Sequence, residues 1–220
     1  MTAALIVAAG NSSRMGFDKL LAPLGGEPVV LRTLRAFEKC QEITGIWVVA
    51  DGDRGTQISK TTAHLSKLRG LVPGGAERHL SVWNGLQAMP SECDFVAVHD
   101  GARPLIDPVQ IGRCIAKARE GDAAASARRV TETLKRADAD GRVTAGIERD
   151  GAWLMETPQV FRMQILRTAY EEVLRRGALV TDETTAVELS GHAVWLVENF
   201  TPNLKITVPG DLEIAERLLG

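Results

Sequence analysis

Hydrophobic residues in this chain form short solid runs, separated by stretches with helical spacing. Ala4-Leu5-Ile6-Val7-Ala8-Ala9, Ile46-Trp47-Val48-Val49-Ala50 and Phe95-Val96-Ala97-Val98 are such runs, ending at Gly10, Asp51 and His99. Short apolar runs bounded by turn residues suit strands buried on both faces of a parallel sheet. Ala123-Ala124-Ala125-Ser126-Ala127 predicts a further central strand, small enough to pack tightly under helices, and residues 193–197 predict another. Between the runs, Val29, Leu31, Leu34 and Phe37 follow a Gly25-Gly26-Glu27-Pro28 turn at near-helical spacing, and Leu80, Val82, Trp83 and Leu86 follow Pro73-Gly74-Gly75. Residues 56–68 read as a weakly patterned helix. Asp107-Pro108 is an N-cap with proline at the first helical position, which predicts a helix to about Arg119. Residues 163–176, a capped start at Thr181-Asp182-Glu183 and residues 209–219 supply the remaining helices, with 205–208 a short extended piece.

Strands that alternate with helices imply a parallel sheet with right-handed crossovers. The predicted fold is α/β, a Rossmann-like three-layer sandwich with a mostly parallel central sheet, in a single domain over residues 1–220. Ligands of such sheets bind at the carboxyl ends of the strands. The loop after Ala9, the Gly74-Gly75 turn and the stretch from His99 to Pro104 therefore converge on one edge. One segment breaks the pattern. Thr133-Leu134-Lys135-Arg136-Ala137 and Val143-Thr144-Ala145-Gly146-Ile147 alternate across Asp138-Ala139-Asp140-Gly141, a hairpin signal. This predicts a protruding β-arm, a subregion at residues 133–157. An isolated hairpin is marginal in water, so a partner subunit is the expected cover.

The 220 residues are 45% hydrophobic and 25% charged, with a net charge of −2, which indicates a soluble globular domain without a nucleic-acid or membrane footprint. Any anionic ligand must then be held by local cations. Cys40, Cys93 and Cys114 are far apart and form no C-x-x-C pair, so reduced structural thiols in a cytoplasmic protein are expected. No basic leader or membrane-length apolar run is present in the sequence.

The opening loop carries the first candidate chemistry. Gly10 has conformational freedom, and exposed backbone N–H groups beside Arg14 and Lys19 would form an anion site suited to phosphates. The same residues would also serve as an ordinary turn with two solvated cations. The G-x-G-x-x-G spacing is absent, because Ser12 and Ser13 stand where the second glycine is needed. A Walker loop is absent too, because Phe17 follows Gly16.

Ala8-Ala9-Gly10-x-x-x-Arg14-Met15-Gly16 followed by Lys19 resembles the signature of the sugar-nucleotidyltransferase superfamily. Four later stretches and a closing one resemble one family within it, the 2-C-methyl-D-erythritol 4-phosphate cytidylyltransferases of non-mevalonate isoprenoid synthesis. The four are Gly74-Gly75-x-Glu77-Arg78-x-x-Ser81, Val98-His99-Asp100-Gly101-Ala102-Arg103-Pro104, Thr157-Pro158-Gln159-x-Phe161 and Thr181-Asp182-Glu183, and the closing one is Asn203-x-Lys205-Ile206-Thr207. The resemblance implies that a phosphate oxygen of the acceptor attacks the α-phosphate of CTP and expels pyrophosphate. A phosphate monoester is already a nucleophile, so positioning and charge stabilisation carry the catalysis and no general base is required.

On this resemblance Arg14, Lys19 and Lys205 are the catalytic cations, and Ala8, Ala9, Gly10, Gly75, Ser81 and Asp100 bind the nucleotide. Asp100 also holds Mg²⁺. Thr133, Arg149, Thr157 and Thr181 contact the sugar-alcohol phosphate, with Arg149 and Thr157 supplied from the partner's arm in a homodimer that exchanges arms. His99 is expected to be a hydrogen-bonding residue and Arg103 to hold its loop. The chain departs from the family's pattern at Ser12, often glycine, at Asp18-Lys19-Leu20, where Pro-Lys-Gln is usual, and at Val208-Pro209-Gly210-Asp211, where Thr-Pro-Glu-Asp is common. Ribitol-5-phosphate cytidylyltransferases, which resemble this family closely, are the main alternative. Molybdenum-cofactor nucleotidyltransferases explain the opening loop but not the arm, and a non-catalytic nucleotide sensor on the same fold is a third possibility.

Overall fold

A computed structural model describes residues 1–10 and 15–219. Its central sheet has seven strands: β1 (Thr2–Val7), β4 (Gly45–Val49), β5 (Leu68–Val72), β6 (Phe95–Asp100), β7 (Ala123–Arg129), β10 (Trp153–Arg162) and β11 (Trp195–Glu198). They lie in the order β11-β7-β10-β6-β1-β4-β5. All neighbours pair in parallel except β10, which runs antiparallel to both β6 and β7. Two short strands, β2 (Pro23–Leu24) and β3 (Glu27–Pro28), form a separate turn, and β8 (Leu134–Ala137) pairs only with β9 (Val143–Ile147).

The solid apolar runs are strands because both of their faces are covered. Side chains alternate across a strand. Ala4 and Ile6, Ile46 and Val48, and Phe95 and Ala97 enter one core, together with residues of α1 (Val29–Lys39), α2 (Gly52–Thr62), α4 (Pro108–Gly121) and α7 (Pro209–Leu218). Ala3 and Leu5, Trp47 and Val49, and Val96 and Val98 enter the other, with α3 (Arg78–Ala88), α5 (Met163–Arg176) and α6 (Glu183–Leu189). The three-layer α/β sandwich follows from this division. Asp107 caps α4 through the Val109 N–H at 2.8 Å with Pro108 at the first position, and Asp182 caps α6 through the Thr185 N–H at 3.0 Å.

Two local expectations are corrected. The helix expected over residues 56–68 is α2, which ends at Thr62, and Leu68 instead starts β5, where it pairs with Ile46. The short extended piece at residues 205–208 joins no sheet; Ile206 N–H bonds to Ala102 O at 2.8 Å, and Val208 has extended backbone angles. The ten-residue β10 has no counterpart in the sequence expectation. Its pairing with β7 is interrupted between Met155 and Gln159, and its pairing with β6 starts at Gln159, so Pro158 sits where neither ladder requires its missing N–H.

Of the expected arm, the hairpin proper occupies β8 and β9, while Glu156 and Thr157 are buried in β10. Val143 and Ile147 of the hairpin are 59% and 40% exposed.

Candidate active site

The carboxyl ends of β1, β4, β5 and β6 point the same way, and the loops that follow them enclose a cleft of about 350 Å³. Ala9, Gly10, Lys19, Gly75, Ser81, Asp100 and Lys205, all singled out from the sequence, line it. Ala8 lies behind the cleft, buried, with its N–H bonded to Val49 O at 2.8 Å. Arg14 lies outside the described residues. Thr133, Arg149 and Thr181 are exposed and do not line the cleft, and Arg149 donates to Thr131 O at 2.8 Å. Gly10 does not play its expected conformational part. Its φ is not positive, and a Cβ there would meet nothing within 4 Å among the described residues.

One wall is the turn between β5 and α3. A Cβ on Gly74 would lie 2.5 Å from Ala9 Cβ and 2.6 Å from Asp51 Oδ2, and one on Gly75 would lie 2.5 Å from Leu80 Cβ. The turn therefore touches the segment after β1 and its own helix more closely than any side chain permits. Asp51 accepts the Gly74 N–H at 2.6 Å, and Ser81 Oγ accepts the Gly75 N–H at 3.0 Å.

The floor is an ion-pair chain. Asp100, at the end of β6, has Lys205 Nζ at 2.7 Å from Oδ2, Arg78 Nη2 at 3.2 Å from Oδ1 and Arg103 Nε at 3.7 Å. Burial opposes ionisation of Asp100, but Arg78 and Lys205 outweigh it and hold the carboxyl well below the usual carboxylate range. Arg78 also forks onto Glu183 at 2.6 and 3.0 Å, a bidentate pair to a fully buried carboxylate. Glu183 accepts the Tyr170 hydroxyl at 3.0 Å, and Gln159 Oε1 accepts the backbone N–H groups of Glu183 and Thr184. Arg78, Glu183 and Gln159 stand in the motifs read from the sequence, yet this joint role was not legible there, because Arg78 and Glu183 lie 105 positions apart.

His99 is fully buried, and burial pushes its imidazole down to about 3. Its Nε2 lies 3.3 Å from Arg103 O, a group that only accepts, so Nε2 carries the proton. Nδ1 then accepts the Thr157 hydroxyl at 2.9 Å, and that hydroxyl accepts the Asp100 N–H at 3.1 Å. With both nitrogens committed and the ring neutral, His99 positions Asp100 and has no free valence for proton transfer.

Lys205 is held from behind. Arg103 donates to Asn203 O at 2.7 Å, and the Asn203 amide donates to Glu156 Oε2 at 3.1 Å and Thr157 O at 2.8 Å. Glu156 Oε2 also accepts from Ser126 and Asn199. Arg103 thus secures the segment that carries the lysine.

A family model described as IspD: 2-C-methyl-D-erythritol 4-phosphate cytidylyltransferase matches residues 2–220. The chain belongs to this family. A 2-C-methyl-D-erythritol 4-phosphate cytidylyltransferase of Geobacter metallireducens is 40% identical over 224 residues, covering 98% of this chain and 96% of the relative. The relative from Prochlorococcus marinus is 38% identical over 218 residues, covering 98% and 97%. A bifunctional enzyme IspD/IspF of Desulforudis audaxviator is 41% identical over 224 residues, and this chain spans 57% of its length. Among solved structures, the 4-diphosphocytidyl-2C-methyl-D-erythritol synthase of Anaerococcus prevotii superposes with a TM-score of 0.89 at 29% identity, covering all of this chain and 96% of that one. The IspD of Francisella tularensis gives 0.85 at 28%, covering 99% of each. Members of this family thus share the mixed sheet and the separate hairpin seen in this chain.

Proposed function

We propose that the cleft holds CTP, with the triphosphate over Lys19 and Lys205 and the base against the Gly74-Gly75 turn. Family membership makes the protein a cytidylyltransferase of the non-mevalonate isoprenoid pathway. In the reaction, a phosphate oxygen of 2-C-methyl-D-erythritol 4-phosphate bonds to the α-phosphorus of CTP. The bond from that phosphorus to the bridging oxygen breaks, and its electron pair leaves with pyrophosphate. The observation that carries this reading is the convergence of Lys19, the Gly75–Ser81 contact, Asp100 and Lys205 on one cleft at the sheet's carboxyl edge. Lys205 meets the charge that develops on the attacked phosphate, and Lys19 and Arg14 meet the charge on the leaving group. The neutral, fully bonded His99 agrees with chemistry that asks for no base.

Among the described residues, no group of three His, Cys, Asp or Glu side chains encloses a metal. One carboxylate is what Mg²⁺ asks for, because it keeps several waters and takes phosphate oxygens as ligands. Asp100, kept ionised by its cations, would hold the ion, whose charge would help to neutralise the triphosphate.

The acceptor site is completed by a second copy. Thr133, Arg149 and Thr181 are exposed, and among the described residues the hairpin pairs with no other strand, while its apolar Val143 and Ile147 are exposed. A partner's arm, presenting Arg149, would cover that surface and supply the cation that the sugar phosphate needs. Cys40, Cys93 and Cys114 are buried free thiols, consistent with a cytoplasmic setting, and no helix among the described residues is long and apolar enough to cross a membrane.

Pyrophosphate release from CTP and Mg²⁺ with either methylerythritol phosphate or ribitol phosphate tests the acceptor. Release with ribitol phosphate alone would overturn the reading. Mixed dimers of Arg149→Ala and Lys19→Ala subunits should regain activity, and confirmed heterodimers that remain inactive would show sites built from one chain.

A further inference from the structure

We propose that Arg54 is a positioning residue of the reaction, a clasp that joins the two ends of the opening loop and so sets where Lys19 presents its charge. The inference rests on the reading of the cleft as the CTP site. Arg54 lies in the first turn of α2 and does not itself line the cleft. Its side chain is 14% exposed. Nη1 donates to Ala8 O at 2.7 Å and to Gly10 O at 3.0 Å, the carbonyls on either side of Ala9. Nε donates to Asp18 Oδ2 at 2.6 Å, and the other oxygen, Oδ1, accepts the Leu20 N–H at 3.0 Å. One guanidinium therefore fixes the loop's departure from β1 and, through Asp18, the turn that contains Lys19. Ala9, Gly10 and Lys19 all line the cleft.

Two features say that this arrangement does more than tie α2 to the sheet. A cation in the first turn of a helix opposes the helix dipole, so local helix stability gives no reason for an arginine there. The carboxylate it holds, Asp18, commits its second oxygen to the Leu20 N–H, so the guanidinium is tied to the turn around Lys19 and not only to the end of β1. The described ends of the loop are thus held by a pair of residues 36 positions apart.

The clasp acts through Lys19, so its loss and the loss of Lys19 must not add. Arg54→Ala, Arg54→Lys, Asp18→Asn and Lys19→Ala are to be compared singly, and each clasp variant also in the Lys19→Ala background. Steady-state kcat/KM for CTP and calorimetric affinity for CTP with Mg²⁺ are the readouts, the second requiring no turnover. Arg54→Ala should lower kcat/KM for CTP about 10- to 100-fold, the scale of a misplacement near one ångström, and leave KM for the acceptor unchanged. Arg54→Lys should rescue only part of this, because one ammonium cannot reproduce a guanidinium fork. In the Lys19→Ala background the same substitution should cost less than about twofold. Asp18→Asn, which keeps the shape of the pair, should show a smaller loss with the same non-additivity and serves if Arg54→Ala does not fold. Equal losses in the two backgrounds, or a lower melting temperature with wild-type kcat/KM, would overturn the clasp. Lys19→Ala with wild-type affinity and kcat/KM would instead overturn the reading of the cleft, and the clasp with it.

Discussion

Burial of His99 makes the protein's stability depend on pH between neutrality and acid. Its folded-state pKa is pushed by burial from 6.5 to about 3, and Asp100, Arg103 and Lys205 are the charged groups around it. The folded chain therefore resists a proton that the unfolded chain takes up readily. The unfolded state binds more protons between about pH 6.5 and pH 3, so stability rises with pH across that window and falls on acidification. For one such group, lowering the pH from about 7.5 to about 5 should remove about 2 kcal/mol, and each further unit about 1.4 kcal/mol more. Asp100 and Asp182, both lowered from 3.8, lose their contribution mainly as the pH falls below about 4, outside the range that isolates His99. Urea unfolding of wild type and His99→Gln at steps from pH 7.5 to 5 isolates the effect. The variant is less stable at neutral pH, having lost the bond to the Thr157 hydroxyl, but its stability should fall by about 2 kcal/mol less over the same range. Parallel curves for the two proteins would refute the reasoning, because the slope would then come from other groups.

Four further substitutions, in three experiments, test the site. Lys205→Ala should lower kcat about 10²- to 10³-fold, the cost of one transition-state donor, with a far smaller change in CTP affinity, and equal losses would mean that the lysine only binds. Arg78→Met strands the fully buried Glu183 carboxylate, and urea unfolding should show a loss of about 3–5 kcal/mol; Arg78→Met with Glu183→Leu should recover much of it, and no recovery would refute the pairing as the cause. Gly74→Ala places a methyl 2.5 Å from Ala9 Cβ, so KM for CTP should rise while KM for the acceptor stays put, and an unchanged KM would show that the turn does not bound the base.

The elements that could be read from the sequence were those whose residues report their own burial. Ile46 to Val49 alternates between two cores, and an unbroken apolar run is the signature of that position. β10 gave no such signal because Glu156, Thr157 and Gln159 are polar yet buried. Their partners are Asn203, His99 and the backbone of α6, which come from distant parts of the chain. Burial of this kind is set by tertiary pairing, and no local period records it. The over-long second helix has the opposite cause. Leu65 and Leu68 sit at helical spacing, but the chain turns between them, and Leu68 pairs with Ile46. Motif positions placed seven site residues at the cleft, whereas Arg78 as the link between Asp100 and Glu183 and Arg54 as the loop's anchor needed the fold itself.

Charge decides one more point about the nucleotide. The described residues lining the cleft include three cations, Lys19, Arg78 and Lys205, and three carboxylates, Asp51, Glu77 and Asp100. Arg78 is moreover shared with Glu183, and the whole chain carries −2, so no global field favours an anion. Arg14 would add one positive charge. A triphosphate brings about four negative charges, and a pocket this evenly balanced attracts it weakly unless counter-charge arrives with it. CTP should therefore bind as its magnesium complex, with Asp100 offering the one protein carboxylate that such a complex asks for. Calorimetric titration of CTP in Mg²⁺ and in EDTA gives the comparison, with binding expected to weaken at least tenfold in EDTA, or about 1.4 kcal/mol. Asp100→Asn should abolish most of that difference, because the amide leaves Lys205 free for the phosphates while offering the ion a poorer ligand. Equal affinity with and without the metal would mean that the cations alone hold the triphosphate and that the balance of charges in the cleft does not govern binding.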